Sequence, residues 1–156
     1  MIRLLVLDID GVLTNGEVTF DEDGRESKSL FFRDIDAVFA ARRAGLPLAL
    51  VTGEATPIVG VIARRLEVER VYSGRHDKAE ALADVAADHG VALDEICFVG
   101  DSSRDAPALE LVGLGLAPSD AHADALAAAD RVLSFPGGRG AVGEAVELAL
   151  AAAAGA

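Results

Sequence analysis

Residues Leu4-Leu5-Val6-Leu7 run without a polar break into Asp8-Ile9-Asp10-Gly11, and that junction restricts the chain more than any other stretch. A short apolar run that does not alternate reads as a strand buried on both faces of a sheet. Period-two geometry puts Asp8 and Asp10 on the same side at the strand's carboxyl end. A second run, Ile96-Cys97-Phe98-Val99-Gly100, is also followed by acids, Asp101 and Asp105. In open parallel sheets, ligands bind beyond the carboxyl ends of the strands. Four carboxylates gathered there repel one another unless a cation neutralises them. A hard, oxygen-seeking ion such as Mg2+ suits that donor set.

The rest of the chain keeps one rhythm. Strands are expected at 2–8, 47–52, 70–72, 95–100, 114–117 and 131–133. Helical spacing is expected over 34–44, 56–66, 78–89, 106–112, 121–129 and 141–154. Alternation of this kind implies an α/β fold: a three-layer, Rossmann-like parallel sheet with helices on both faces. Between Asn15 and Arg33 the pattern switches to alternation around Val18 and Phe20, then Asp23-Gly24, a hairpin turn signal. A projecting β-hairpin is expected over about 15–33, beside the acids. A lone hairpin is marginal in water, so Val18, Phe20, Leu30, Phe31 and Phe32 need a surface to pack on, either a second copy of the chain or their own domain.

At 156 residues the chain is read as a single domain, 1–156, with a real core; 51% hydrophobic residues are too many for disorder. A net charge of −12 disfavours nucleic acid and anionic membranes as partners. It leaves a small anionic substrate open, because one cation and a few basic groups can dominate a pocket. Cys97 is the single cysteine, so no intrachain disulfide is expected, and it reads as a buried small hydrophobe. Asp8 and Asp10 interrupt the only N-terminal apolar run, so no signal peptide is read there. No window approaches the ~20 apolar residues of a membrane span. A cytoplasmic location is expected.

Four motifs in order, Asp8-x-Asp10-Gly11, Thr52 closing an apolar run, Lys78 opening a helix, and Gly100-Asp101-x-x-x-Asp105, resemble the haloacid dehalogenase superfamily of phosphatases. The resemblance implies Asp8 as nucleophile, forming an aspartyl-phosphate, and Asp10 as acid and then base. It implies a Mg2+ ion held by Asp8, Asp101 and the backbone carbonyl of Asp10, with Asp105 orienting Lys78 or a metal-bound water. Thr52 and the Gly53 amide would donate to phosphate oxygens, and Lys78 would supply fixed positive charge. Helix capping is the plainer role for Thr52 and Asp105.

Residues 10–16, the hairpin, Phe32-Arg33-Asp34 and Pro136-Gly137-Gly138-Arg139-Gly140 narrow the match. They resemble the 3-deoxy-D-manno-octulosonate 8-phosphate phosphatase family, whose members lack a cap domain and assemble as tetramers through their hairpins. On that model Arg139 faces substrate carboxylate or phosphate, in its own or a neighbouring subunit's site. Departures concern the substrate more than the chemistry. Glu54 stands where an arginine is usual, which is similar to the related 2-keto-3-deoxy-nonulosonate 9-phosphate phosphatases. A basic partner for Glu54 is expected on the next helix, at Arg65 or Arg64. Ser102 and Arg104 replace an acid and an amide, and Ile35 replaces a glycine, which predicts a narrower pocket. Two rival readings remain on the residues alone: a phosphatase-like subunit without catalysis, and a phospho-accepting receiver domain.

Overall fold

The computed structural model describes residues 1–155. Six parallel strands, β1 (Leu4–Leu7), β4 (Leu48–Val51), β5 (Val71–Tyr72), β6 (Ile96–Val99), β7 (Leu114–Ala117) and β8 (Arg131–Val132), line up in the order β5-β4-β1-β6-β7-β8. Two short strands, β2 (Thr19–Phe20) and β3 (Glu26–Ser27), pair antiparallel as a separate hairpin. Successive side chains of a strand point to opposite faces, and the core divides accordingly. Leu5, Leu7, Leu50, Cys97, Val99 and Leu116 face one layer. It is built by α1 (Phe32–Arg43), α2 (Pro57–Leu66) and α6 (Ala141–Ala153). Leu4, Val6, Ala49, Val51, Ile96 and Phe98 face the other. There α3 (Lys78–His89), α4 (Ala106–Leu111) and α5 (Ala123–Ala128) cover them. Both faces of the sheet are covered, which is why its four central strands, β4, β1, β6 and β7, carry no polar side chain.

The chain builds outward from β1 to β4 and β5, then crosses back to β6 on the other side of β1. That reversal makes the carboxyl ends of β1 and β6 a topological switch point, where open sheets leave a crevice. Strand and helix ends fall within a few residues of the sequence-based bounds. Asp77 caps α3 by accepting from the Glu80 amide at 3.0 Å, and α3 stops at Gly90 in the left-handed region (φ 62°). The first helix begins at Phe32 rather than Asp34. Asp34, buried, accepts from the Gly140 and Gly143 amides at 3.2 and 3.0 Å, so it fastens the start of α6 to the start of α1.

Three local features were not expected. Residues Ile9–Leu13 form one wide turn, closed by the Thr14 amide donating to the Ile9 carbonyl at 3.0 Å. The hairpin loop runs over five residues, 21–25, and Asp21 organises it by accepting from the Asp23 and Arg25 amides. Ile35 packs in the core, 5% exposed, and does not narrow the site. Of the apolar hairpin positions, Leu30 packs against the core, whereas Val18, Phe20 and Phe32 stay 42%, 59% and 71% exposed.

Candidate active site

The two acidic strand ends meet. Asp8, Asp101 and Asp105 each bring one carboxylate oxygen within 4.8 Å of the others. Lys78, from the first turn of α3, reaches between them, 2.9 Å from both Asp8 Oδ2 and Asp105 Oδ1. The sheet supplies Asp8 and Asp101 and the helix supplies the cation, so three separate elements close the centre. A small residue is required at Gly11, where a Cβ would collide with the Asp101 carboxylate and φ is +81°. Thr52, buried at the end of β4, accepts from the Glu54 amide at 3.1 Å. Asp8, Asp101, Lys78 and Thr52 line a cavity of about 280 Å³, together with Asp10, Gly16, Gly53, Glu54, Arg75, His76, Ser102 and Arg104.

The carboxylates differ in how far protein donors already satisfy them. Asp105 is saturated: Oδ1 takes Lys78, and Oδ2 takes the Asp101 and Ser102 amides and the Ser102 hydroxyl. Asp8 accepts from the Ile9 amide and Lys78. Among the described residues, only its own backbone amide donates to the Asp101 carboxylate. Burial, reinforced by repulsion from Asp105 and opposed by Lys78, pushes Asp101 up to about 6. Burial likewise pushes Asp8 up to about 8, against the pull of Lys78. For Asp105, burial pushes upward, but Lys78 and the amide donors outweigh it and hold the carboxyl below its ordinary value. Burial also works against the charge on Lys78; Asp8 and Asp105 overcome it and raise its pKa. Three carboxylates facing one ammonium leave excess negative charge in a partly dry centre. Two of them, Asp8 and Asp101, keep lone pairs to spare. That donor set fits a hard divalent cation with oxygen ligands, and Asp105 is left to orient Lys78.

Of the other sequence candidates, Asp10, Gly53 and Glu54 line the cavity. Arg65 does not join them; its guanidinium lies over the Phe32 ring at 6.0 Å. Arg139 lines adjoining cavities with Phe31 rather than the central one. Two residues were missed. His76 is exposed yet lines the cavity beside Gly53. Lys28, from the return arm of the hairpin, forms a 2.8 Å ion pair with Asp10 Oδ1. Nothing in the sequence marks a hairpin lysine for that role. The loop before α6 presses on the acidic turn: a Cβ at Gly137 would collide with the Gly11 carbonyl, and the Gly138 amide donates to the Val12 carbonyl at 3.0 Å.

A doubly covered parallel sheet without a cap insertion, its paired acids and lysine at the switch point, defines a haloacid dehalogenase-like hydrolase, and the model of that family matches residues 61–145. The 3-deoxy-D-manno-octulosonate 8-phosphate phosphatase KdsC of Escherichia coli K12 is 36% identical over 151 residues, covering 97% of this chain and 80% of its own. The crystal structure of the Moraxella catarrhalis 3-deoxy-D-manno-octulosonate 8-phosphate phosphatase, in complex with magnesium, phosphate and KDO, superposes with a TM-score of 0.92 at 30% identity, over 97% of this chain and 87% of that one. A cobalt-bound deoxy-D-mannose-octulosonate 8-phosphate phosphatase from Haemophilus influenzae gives 0.91 at 32% identity, over 97% and 88%. The chain belongs to the 3-deoxy-D-manno-octulosonate 8-phosphate phosphatase family. The receiver-domain alternative falls with that membership.

Proposed function

We infer that this chain is a Mg2+-dependent phosphomonoesterase acting on a phosphorylated 3-deoxy-2-ulosonate of the octulosonate 8-phosphate or nonulosonate 9-phosphate type. The observation that carries it is the meeting of Asp8, Asp101 and Lys78 at the switch point. The relatives that match nearly the whole chain are phosphatases of such a sugar acid. Their chemistry supports catalysis here over a phosphatase-like subunit without it.

Phosphoryl transfer is mainly a matter of positioning and charge. An Asp8 oxygen attacks phosphorus in line and forms an aspartyl-phosphate as the bond to the sugar oxygen breaks. Asp10 gives its proton to that leaving oxygen, then takes one from the water that attacks the intermediate. Thr52 and the Gly53 amide hold phosphoryl oxygens, and Lys78 offsets the charge that grows on them. Asp8, Asp101 and the Asp10 carbonyl would hold Mg2+, which would offset the repulsion between the carboxylate nucleophile and the phosphate.

Arg104 and Glu54 also line the cavity. Arg104 has no acidic partner among the described residues, while Arg75 is taken by Asp84 at 2.7 Å. Arg104 therefore suits the substrate carboxylate and Glu54 its hydroxyls. The exposed Val18, Phe20 and Phe32 support assembly as a homotetramer through the hairpin, in which Arg139 can serve a neighbour's site. Arg65 and Glu54 remain candidates for substrate binding in that assembly. We take residues 1–156 as one catalytic domain. A cytoplasmic address follows from a charged substrate that does not cross membranes; no helix among the described residues is long and apolar enough to span one.

A phosphate-release assay on the octulosonate 8-phosphate, the nonulosonate 9-phosphate and simple sugar phosphates tests the reading. Turnover of an ulosonate phosphate that needs Mg2+ and vanishes in Asp8→Asn supports it. Activity that survives either EDTA or that substitution refutes it.

A further inference from the structure

The two oxygens of Asp10 have different surroundings. Oδ1 is held by Lys28 at 2.8 Å and, more weakly, by the Thr14 hydroxyl, which donates at 3.4 Å. The Thr14 hydroxyl is itself fixed, because it accepts from the Gly11 and Gly16 amides at 3.3 and 3.1 Å. Oδ2 has no donor among the described residues. Lys28 comes from the arm after β3, where a hairpin lysine ordinarily projects into water. Its side chain is instead only 6% exposed. It does not line the central cavity, whereas Asp10 does. Its ammonium is therefore spent on Asp10 rather than on a ligand, and ordering a four-carbon side chain costs entropy that an idle lysine would not forfeit.

We propose that Lys28 is a positioning residue for proton transfer: by anchoring Asp10 Oδ1 from the hairpin, it turns Oδ2 toward the bridging oxygen of the phosphate ester. The inference rests on the acid–base role given to Asp10 above. In the first step the proton on Oδ2 passes to the bridging oxygen as the phosphorus–oxygen bond breaks and the Asp8–phosphorus bond forms. In the second, Oδ2 receives a proton from water as that water's oxygen bonds to phosphorus and Asp8 is released. A donor set wrongly by about an ångström loses on the order of a hundredfold, and loses it only where the leaving oxygen needs a proton.

The test compares kcat/KM for the ulosonate phosphate that is turned over fastest, an alkyl ester, with that for 2,4-dinitrophenyl phosphate, in the wild type and in Lys28→Met. The dinitrophenolate leaves without protonation, so the two esters separate proton delivery from everything else in the site. The expected result is a fall of about 10- to 100-fold on the alkyl ester, with the alkyl-to-dinitrophenyl ratio dropping at least tenfold. Asp10→Asn should shift the ratio in the same direction. Equal losses on both esters would make Lys28 a merely structural residue and overturn the inference, as would no loss on either, while the phosphatase reading stands. A wild type inactive on both esters overturns the phosphatase reading and this inference with it.

Discussion

Replacing Asp101 by Asn isolates the charge conflict at the centre of the site. Asp101 is lifted from the ordinary 3.8 to about 6, chiefly by burial and next by Asp105. The folded chain thus keeps that proton up to about pH 6, whereas the unfolded chain releases it near 3.8. Without metal, stability falls as pH rises between those two values, and the penalty is complete above pH 6. Two units correspond to roughly 3 kcal/mol, and partial exposure screens this to on the order of 1–2 kcal/mol. No donor is stranded on substitution, because only the residue's own amide donates to the carboxylate and the Asn oxygen can still accept from it. In EDTA at pH 7, Asp101→Asn should therefore melt higher than the wild type, by about 3–6 °C for a chain of this length. At pH 4 the difference should vanish. Adding Mg2+ should reverse the order, since a ligand raises the stability of the form that binds it and the variant has lost its least encumbered ligand. Differential scanning fluorimetry over pH, with and without Mg2+, reads all three outcomes. A variant that is destabilised in EDTA, or that keeps the full Mg2+ shift, refutes the assignment of Asp101 as a metal ligand.

Two further substitutions probe the surroundings. Gly137→Ala forces a methyl group into the Gly11 carbonyl; it should cost about 1–3 kcal/mol in denaturant melts and lower kcat, because the acidic turn must shift to make room. Phe20→Asp on the exposed hairpin strand should leave the melting profile of the monomer intact while reducing the mass measured by light scattering; an unchanged mass would remove the hairpin as the assembly surface.

The centre was legible because its residues are punctuation. Asp8 and Asp101 each follow an apolar run that reads as a buried strand, and Lys78 opens a stretch of helical spacing. Where strands end is a local property, and the sheet converts it into a shared place. The layers were legible for the same reason, since the apolar runs never alternate. What stayed hidden depends on which way a side chain turns in three dimensions. Lys28 sits in an exposed, polar hairpin arm, and only the fold shows it bending back to Asp10. His76 carries no spacing signal yet lies against Gly53. Arg65 and Arg139, inferred from resemblance, are drawn by their own helix and loop to Phe32 and to an adjoining cavity. What Ile35 replaces points to the pocket, while its position on α1 faces the core. The wide turn at Ile9–Leu13 has no composition of its own; the hydrogen bond from Thr14 defines it.

The contact of Gly137 and Gly138 with the turn after β1 joins two segments with more than a hundred residues between them. A nascent chain emerging from the ribosome carries Asp8 long before the brace that holds its turn has been made. Truncated products ending short of that loop should accordingly be inert, and an unfinished molecule has no means of consuming phosphate esters before it is whole.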